Sequence, residues 1–150
     1  MKKTISFVTI FGWITASEEE GNIIEIKFSK KKNIGKSKVL KQLKKEIKFF
    51  FSKSKKKIKL PLKIQGSKLQ KKIWNELKKI PYGKTKSYGE ISKKLKTSPR
   101  YVGNVCGQNR HLLVIPCHRV IRSNGKLGGF SGTGGIDTKK KLLKFEGAIK

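Results

Sequence analysis

Acidic residues are scarce in this 150-residue chain: 9 Asp and Glu stand against 38 Lys and Arg, leaving a net charge of +29. Histidine and cysteine are scarcer, with two of each, and neither occurs before Cys106. That absence excludes a zinc site built from Cys and His in the first hundred residues. The four remaining candidates, Cys106, His111, Cys117 and His118, match no common zinc spacing, so no metal is expected. Two cysteines make no disulfide framework, and beside a reactive-thiol motif both are expected to be reduced. No run is long and apolar enough to span a membrane, and a cytoplasmic chain is expected. The glycine-rich stretch from Lys126 to Gly135 lacks the Gly-Lys-Ser/Thr of a phosphate-binding loop. No internal repeat is present.

The excess charge points to a polyanionic partner. It has a second origin, because nearly all the basic residues are Lys, Ile is abundant and Ala is scarce, as an AT-rich genome would dictate. Composition sets the level, and a nucleic-acid partner makes it tolerable. Charge alone therefore supports DNA binding only weakly.

Residues 1–63 read as a small α/β domain. An apolar run from Ile5 to Ile14 behind Lys2-Lys3 has the look of a secretory signal, but Ser6, Thr9 and Gly12 interrupt it. It also reads as one arm of an antiparallel hairpin: strand to about Ala16, turn at Glu18–Asn22, strand from Ile23 to Phe28. Val39, Leu40, Leu43, Ile47 and Phe50 recur at helical spacing between Lys36 and Phe51. Residues 64–150 read as a mainly helical domain organised by start signals. Ser67 with Gln70 and Ser87 with Glu90 form capping boxes, and Ser98 caps a third helix with Pro99 in its first position. The second and third of these helices, joined at Lys96-Thr97, make a helix-turn-helix. The third carries Arg100, Gly103 and Asn104 and no acidic residue, which suits a DNA-facing surface.

The densest chemistry lies in Ile115-Pro116-Cys117-His118-Arg119-Val120. A thiol attacks as its thiolate, and an isolated cysteine near pKa 8.5 is mostly protonated at neutral pH unless a base or cation assists it. Pro116 places Cys117 in a turn. Adjacent side chains diverge in extended chain, so a water is the natural link from His118 to the sulfur.

The hexapeptide resembles the active-site signature of the O6-alkylguanine-DNA alkyltransferases. In the same order, Ile80-Pro81-Tyr82-Gly83-Lys84-Thr85 with Ser87-Tyr88 is similar to the stretch before that family's first DNA-contacting helix. Ser98-Pro99-Arg100-Tyr101-Val102-Gly103 is similar to the start of its recognition helix, and Asn109 stands where the family carries an asparagine. Gly125–Gly132 and Lys141–Gly147 resemble its lid loop and closing helix. Phe11-Gly12-Trp13 with Glu20-Gly21 resembles the opening hairpin of its smaller domain, which decides the first segment in favour of a strand. The resemblance is ordered over 64–150 and looser over 1–63.

The resemblance implies an α/β (α+β) protein whose second domain is winged-helix-like. It implies irreversible, single-turnover transfer of an alkyl group from O6-alkylguanine, and by extension O4-alkylthymine, in double-stranded DNA to Cys117, by a monomer without a cofactor. His118 would act through water and Glu146 would orient His118. Asn109 would brace the turn and Tyr88 would press on the target-strand phosphate. Arg100 would fill the gap left by the flipped base, with Tyr101, Gly103, Asn104 and Arg119 completing the DNA-facing set in the minor groove. Phe130, Ser131 and Val120 would line the guanine pocket. Tyr101 and Phe130 depart from the family's usual small residue and tyrosine, and two residues are missing between Tyr88 and Arg100 relative to many members. The rival reading is a non-catalytic lesion-binding module, whose relatives carry Trp at the nucleophile position; Cys117 argues against it.

Overall fold

The computed structural model describes residues 1–129 and 135–150. The chain divides into two compact units, residues 1–64 with 110–114, and residues 65–109 with 115–150. The short insertion into the first unit has a backbone cause. Ile26 N donates to Arg110 O at 2.7 Å, Leu112 N donates to Ile26 O at 3.3 Å, and His111 Nε2 bonds Ile23 O at 2.9 Å. Residues 110–114 thus lie along a strand of that unit, beyond the boundary that the sequence reading drew at 63/64.

The first unit holds an antiparallel meander of β1 (Lys3–Thr9), β2 (Gly12–Glu19) and β3 (Asn22–Phe28), followed by α1 (Lys38–Phe51). The single strand read up to Ala16 is therefore two strands. Thr9 pairs with Gly12 across a two-residue turn, and Gly12 has φ +117, a conformation open to glycine. Thr9 Oγ1 donates to Gly12 O and accepts from Phe11 N, which holds the turn shut. An apolar run hides such a turn because Ile10 and Phe11 carry none of the usual turn chemistry. The second turn, Glu20-Gly21, has positive φ at both residues, the twist that suits a tight hairpin. Ser37 caps α1, whose Leu40, Leu43, Ile47 and Phe50 are buried with Phe7, Ile14, Ala16, Ile23 and Ile26 of the sheet.

The second unit is mainly helical: α2 (Lys68–Lys78), α3 (Tyr88–Leu95), α4 (Pro99–Gly107) and α5 (Ile136–Phe145). Both capping boxes are formed, Ser67 with Gln70 and Ser87 with Glu90, and Ser98 accepts from Tyr101 N. Lys96 at φ 58 turns the chain between α3 and α4, so the pair forms the helix-turn-helix. Trp74 Nε1 donates to Val105 O at 3.1 Å, tying α2 to α4 through the core. Two short strands, β4 (Lys86–Ser87) and β5 (Val120–Ile121), pair in parallel. This ladder holds the start of α3 beside the chain emerging from the Cys117 turn. Among the described residues the architecture is mixed α/β, with a three-stranded antiparallel sheet and five helices. No described helix is long and apolar enough to cross a membrane.

Candidate active site

The chain is buried from Ile115 through Val120, and within this segment Cys117–Arg119 form one turn of 3-10 helix before β5. The turn closes through Cys117 N donating to Ile115 O at 2.8 Å and Arg119 N to Pro116 O at 3.0 Å. Pro116 has no N–H to lose here. The Asn109 carboxamide, buried at the end of α4, donates to the same Ile115 O at 2.8 Å. Cys117 is 5% exposed. Burial pushes its thiol pKa up; a hydrogen bond from the Asn109 side chain and the positive field of Lys139 oppose that rise.

Behind Cys117 lies a closed set of ionisable groups. His118 Nε2 meets Glu146 Oε2 at 2.9 Å, and both residues are buried. Arg119 holds the same carboxylate in a fork, Nε to Oε1 and Nη2 to Oε2, both 2.8 Å, while its Nη1 donates to Ile80 O at 2.9 Å. Burial alone would raise the Glu146 pKa, but hydrogen bonds from His118 and Arg119 outweigh it and hold the carboxyl at about 2. Desolvation drives His118 the other way, below its ordinary value. The resting site therefore contains an ionised Glu146, a charged Arg119 and a neutral imidazole. With Nε2–H given to the carboxylate, Nδ1 is the basic nitrogen.

A cavity of about 630 Å³ opens on Cys117. Its walls include Tyr88 of α3, Arg100, Gly103 and Cys106 of α4, and Arg122 and Gly128 beyond β5. Gly128, at φ +76, packs against the tyrosine: a Cβ there would lie 3.1 Å from Tyr88 Cε2 and Oη. Burial raises the Tyr88 pKa to about 12, so its hydroxyl stays protonated. Cys106 is also pushed up to about 12, by burial first and then by the neighbouring Cys117.

Of the residues singled out from sequence, Cys117, Tyr88, Arg100 and Gly103 line this cavity, and His118 and Glu146 form the bonded pair behind it. Tyr101 is half-buried and Asn104 exposed on α4, outside the cavity wall. Two assignments are corrected. Arg119 is 6% exposed, with its guanidinium turned to Glu146 and Ile80 and 5.8 Å from the Tyr82 ring centroid, so it is the carboxylate's counter-ion and not a DNA-facing residue. Val120 is fully buried and is not among the cavity-lining residues; its carbonyl accepts from Lys139. Phe130 and Ser131 lie outside the described residues. Among the described residues no three His, Cys, Asp or Glu side chains come together as a metal-holding group.

Sequence reasoning missed Lys139. It is 0% exposed, and its Nζ donates to Val120 O at 2.5 Å, Gly129 O at 3.2 Å and Tyr88 Oη at 3.3 Å. Desolvation lowers its pKa to about 8, against the opposing pull of Cys117 and Cys106. The residue stands first in a Lys139-Lys140-Lys141 run, which hides it. Spacing offered the signal: Lys139 precedes Leu142 by three and Leu143 by four, on the apolar face of α5.

The second unit thus joins a helix-turn-helix to a cavity that opens on a buried cysteine, with a bonded His–Glu pair whose histidine is next to it in the chain. The family model described as 6-O-methylguanine DNA methyltransferase, DNA binding domain, matches residues 68–148, more than half of the chain, and the chain belongs to this family. A methylated-DNA–protein-cysteine methyltransferase of Methanosarcina acetivorans is 46% identical over 86 residues, 56% of this chain and 54% of that protein. One from Sulfolobus acidocaldarius is 53% identical over 78 residues, covering 52% and 48%. The matched part spans about half the length of these curated relatives. The crystal structure of Mycobacterium tuberculosis O6-methylguanine methyltransferase superposes with a TM-score of 0.87 at 26% identity, covering 100% of this chain and 95% of that one. A structure of the M. tuberculosis protein in complex with DNA gives 0.86 at 27% identity, covering 97% and 92%.

Proposed function

We propose that the protein repairs DNA by moving one alkyl group from O6-alkylguanine in a duplex to the Cys117 sulfur, a reaction each chain performs once. The observation that carries this reading is the placement of Cys117 in the wall of a 630 Å³ cavity shared with Tyr88 and Arg100, with the His118–Glu146 pair behind it. In the proposed sequence the Cys117 proton passes through a water to His118 Nδ1. Glu146, itself neutralised by Arg119, fixes the tautomer and stabilises the imidazolium. The thiolate attacks the alkyl carbon in line; the S–C bond forms as the C–O6 bond breaks. The electron pair stays on the guanine, which takes up a proton as it leaves. Tyr88, protonated and facing the cavity, is the donor. The thioether has no leaving group, so no second turnover follows, and direct displacement needs no cofactor.

A base inside a duplex must be extruded before a buried thiol can reach it. Arg100, in the wall of the cavity, takes the vacated place in the stack, and Tyr101, Gly103 and Asn104 face the groove. Phe130 and Ser131, by resemblance, complete the guanine pocket. O4-alkylthymine is a second substrate of the same chemistry. The protein acts as a monomer in the cytoplasm, where a free thiol nucleophile stays reduced. The test is a stoichiometry: duplex containing O6-methylguanine, mixed in excess with the protein, should lose one methyl per chain in a single phase and then stop. Continued turnover would overturn the reading, and tight lesion binding with no methyl loss would favour the lesion-binding module.

A further inference from the structure

Exposed apolar side chains gather in the unit that holds none of the proposed chemistry. Among the described residues the first unit exposes Met1, Val8, Ile10, Trp13, Ile34 and Phe49, and the second only Ile136. Scattered exposed apolar residues are ordinary, but a set gathered beside a cavity marks a surface that meets something. Val8 and Trp13 are cross-strand partners, and Ile10 lies in the turn that joins their strands. A cavity of about 430 Å³ opens there, walled by Val8, Thr9, Ile10, Lys48, Phe51 and Ser52. Phe11 has a structural reason to be apolar, since its ring meets Phe51 edge-on at 5.4 Å. Ile10 gains no comparable cover: it is 66% exposed, in a two-residue turn where Gly, Asn or Asp is usual.

The backbone beside this cavity is open as well. β1 is an edge strand of its sheet. Over its first half the edge is closed: Thr4 N donates to Ile34 O at 3.0 Å, Ile34 N to Thr4 O at 2.9 Å, and Ser6 N to Asn33 Oδ1 at 2.9 Å. In an antiparallel strand alternate residues turn N–H and C=O to the same side, so Val8 aims both groups at that edge. Among the described residues neither group meets a partner, and Val8 is 60% exposed. An unpaired edge of this kind accepts a further strand, and a pocket beside it selects the side chain that strand carries.

Charge selects the occupant. Lys48 stands in the cavity wall, Lys53 follows the end of α1, and Lys30 lies over the Trp13 ring at 4.5 Å. The unit's carboxylates are engaged or placed elsewhere. Glu18, Glu19 and Glu20 run into the turn at the far end of β2, Glu25 sits beside Lys27, and Glu46 pairs with Lys55 at 2.7 Å. A second copy of the chain would bring the same excess of positive charge, and the apolar walls offer a phosphate backbone little besides Lys48 and Ser52. We propose that the β1 edge and this cavity form a docking surface for an extended acidic segment of another protein. The segment's backbone pairs with Val8 N and O, one apolar side chain enters the cavity beside Ile10 and Phe51, and its carboxylates meet Lys48 and the neighbouring lysines. The inference does not rest on the alkyl-transfer reading, since none of these residues belongs to the active site.

The test uses the full chain and a fluorescein-labelled probe peptide, Glu-Val-Glu-Phe-Glu-Val-Glu, at about 0.15 M salt, where long-range attraction is screened. Fluorescence anisotropy should show saturable binding, and the same peptide with Lys for each Glu should not bind. Methylating the probe's backbone nitrogens on the pairing side should weaken binding about tenfold, as should Ile10→Asp at the cavity mouth, and Lys48→Glu should weaken it about fivefold. Hydrogen exchange on the unaltered protein gives the sharper readout. The Val8 amide should exchange fast in the free chain and become protected with the probe bound, while Ile5 and Phe7, already paired with β2, should not change. Should either variant fail to fold, the Val8 exchange decides alone. No binding of the probe, or binding that survives Ile10→Asp and backbone methylation and leaves Val8 unprotected, would overturn the proposal. Protection of Val8 by an oligothymidylate and not by the probe would make this a nucleic-acid surface. A dimer that Ile10→Asp dissolves would give the surface to a second copy, and either result overturns the assignment to an acidic partner.

Discussion

The two units carry almost the same charge and bury very different groups. The first has 19 basic residues against 5 acidic, the second 19 against 4. Yet only the second buries a histidine, an arginine, a lysine and a glutamate along with two thiols; the first buries two glutamates and His111. The first unit's ionisable groups do local work: Glu18 accepts from Gly21 N in a turn, Glu46 pairs with Lys55 at 2.7 Å, and His111 bonds Ile23 O. Surface lysines are cheap to accumulate, because a solvated charge adds little to stability either way. A buried charge is costly unless a counter-ion or hydrogen bonds hold it. Buried ionisable groups therefore discriminate function in this chain, and total charge does not.

The largest effect is expected at the nucleophile. Cys117→Ser should abolish methyl transfer while leaving duplex affinity nearly unchanged in a gel-shift titration, because a neutral hydroxyl is a far weaker nucleophile than a thiolate. Residual stoichiometric transfer would move suspicion to Cys106, in the wall of the same cavity. Next in size is the buried pair. Arg119→Met leaves the Glu146 carboxylate without its fork and should cost about 3–5 kcal/mol in urea denaturation. The sign with pH follows from the carboxyl held at about 2. In wild type the carboxylate's contribution is full above its ordinary value of 4.5 and is lost as pH falls through about 2. Arg119→Met should lose it at a higher pH, so the two stability curves should converge in acid.

Arg100→Ala comes third. It should slow duplex repair about tenfold or more, near 1.4 kcal/mol per decade, and leave the reaction with free O6-benzylguanine almost unchanged, because a free base needs no flipping. Equal losses on both substrates would make Arg100 a pocket residue. The smallest effect should come from the exposed face of α1. Lys41→Gln with Lys45→Gln should leave the duplex rate within about twofold and lower the salt slope of binding by less than the same number of changes on α4 would. A larger loss would show that the first unit's lysines also meet phosphate.

These contrasts match what the sequence could and could not reveal. Helix starts were legible because capping is local: Ser87 needs only Glu90 three residues on, and both bonds are present. The hexapeptide was legible as chemistry because Pro116, Cys117 and His118 are adjacent. The Ile10-Phe11 turn was not, since an apolar pair gives no turn signal and its geometry falls on Gly12. Arg119 was misread because a basic residue in a basic chain suggests phosphate, and its partner Glu146 lies 27 residues away. Lys139 escaped for the same reason, although its place three and four residues before Leu142 and Leu143 marked it as inward-facing. Where one residue type dominates a composition, position on a helix face says more than identity.

In the proposed reaction the alkyl group ends on one sulfur of the second unit. The destination of the label can be read by incubating the protein with a duplex carrying isotope-labelled O6-methylguanine, digesting it and weighing its peptides. A single labelled methyl should appear on Cys117, with Cys106 unmodified. A label on Cys106, or none on the protein while the lesion disappears from the DNA, would rule out transfer to Cys117.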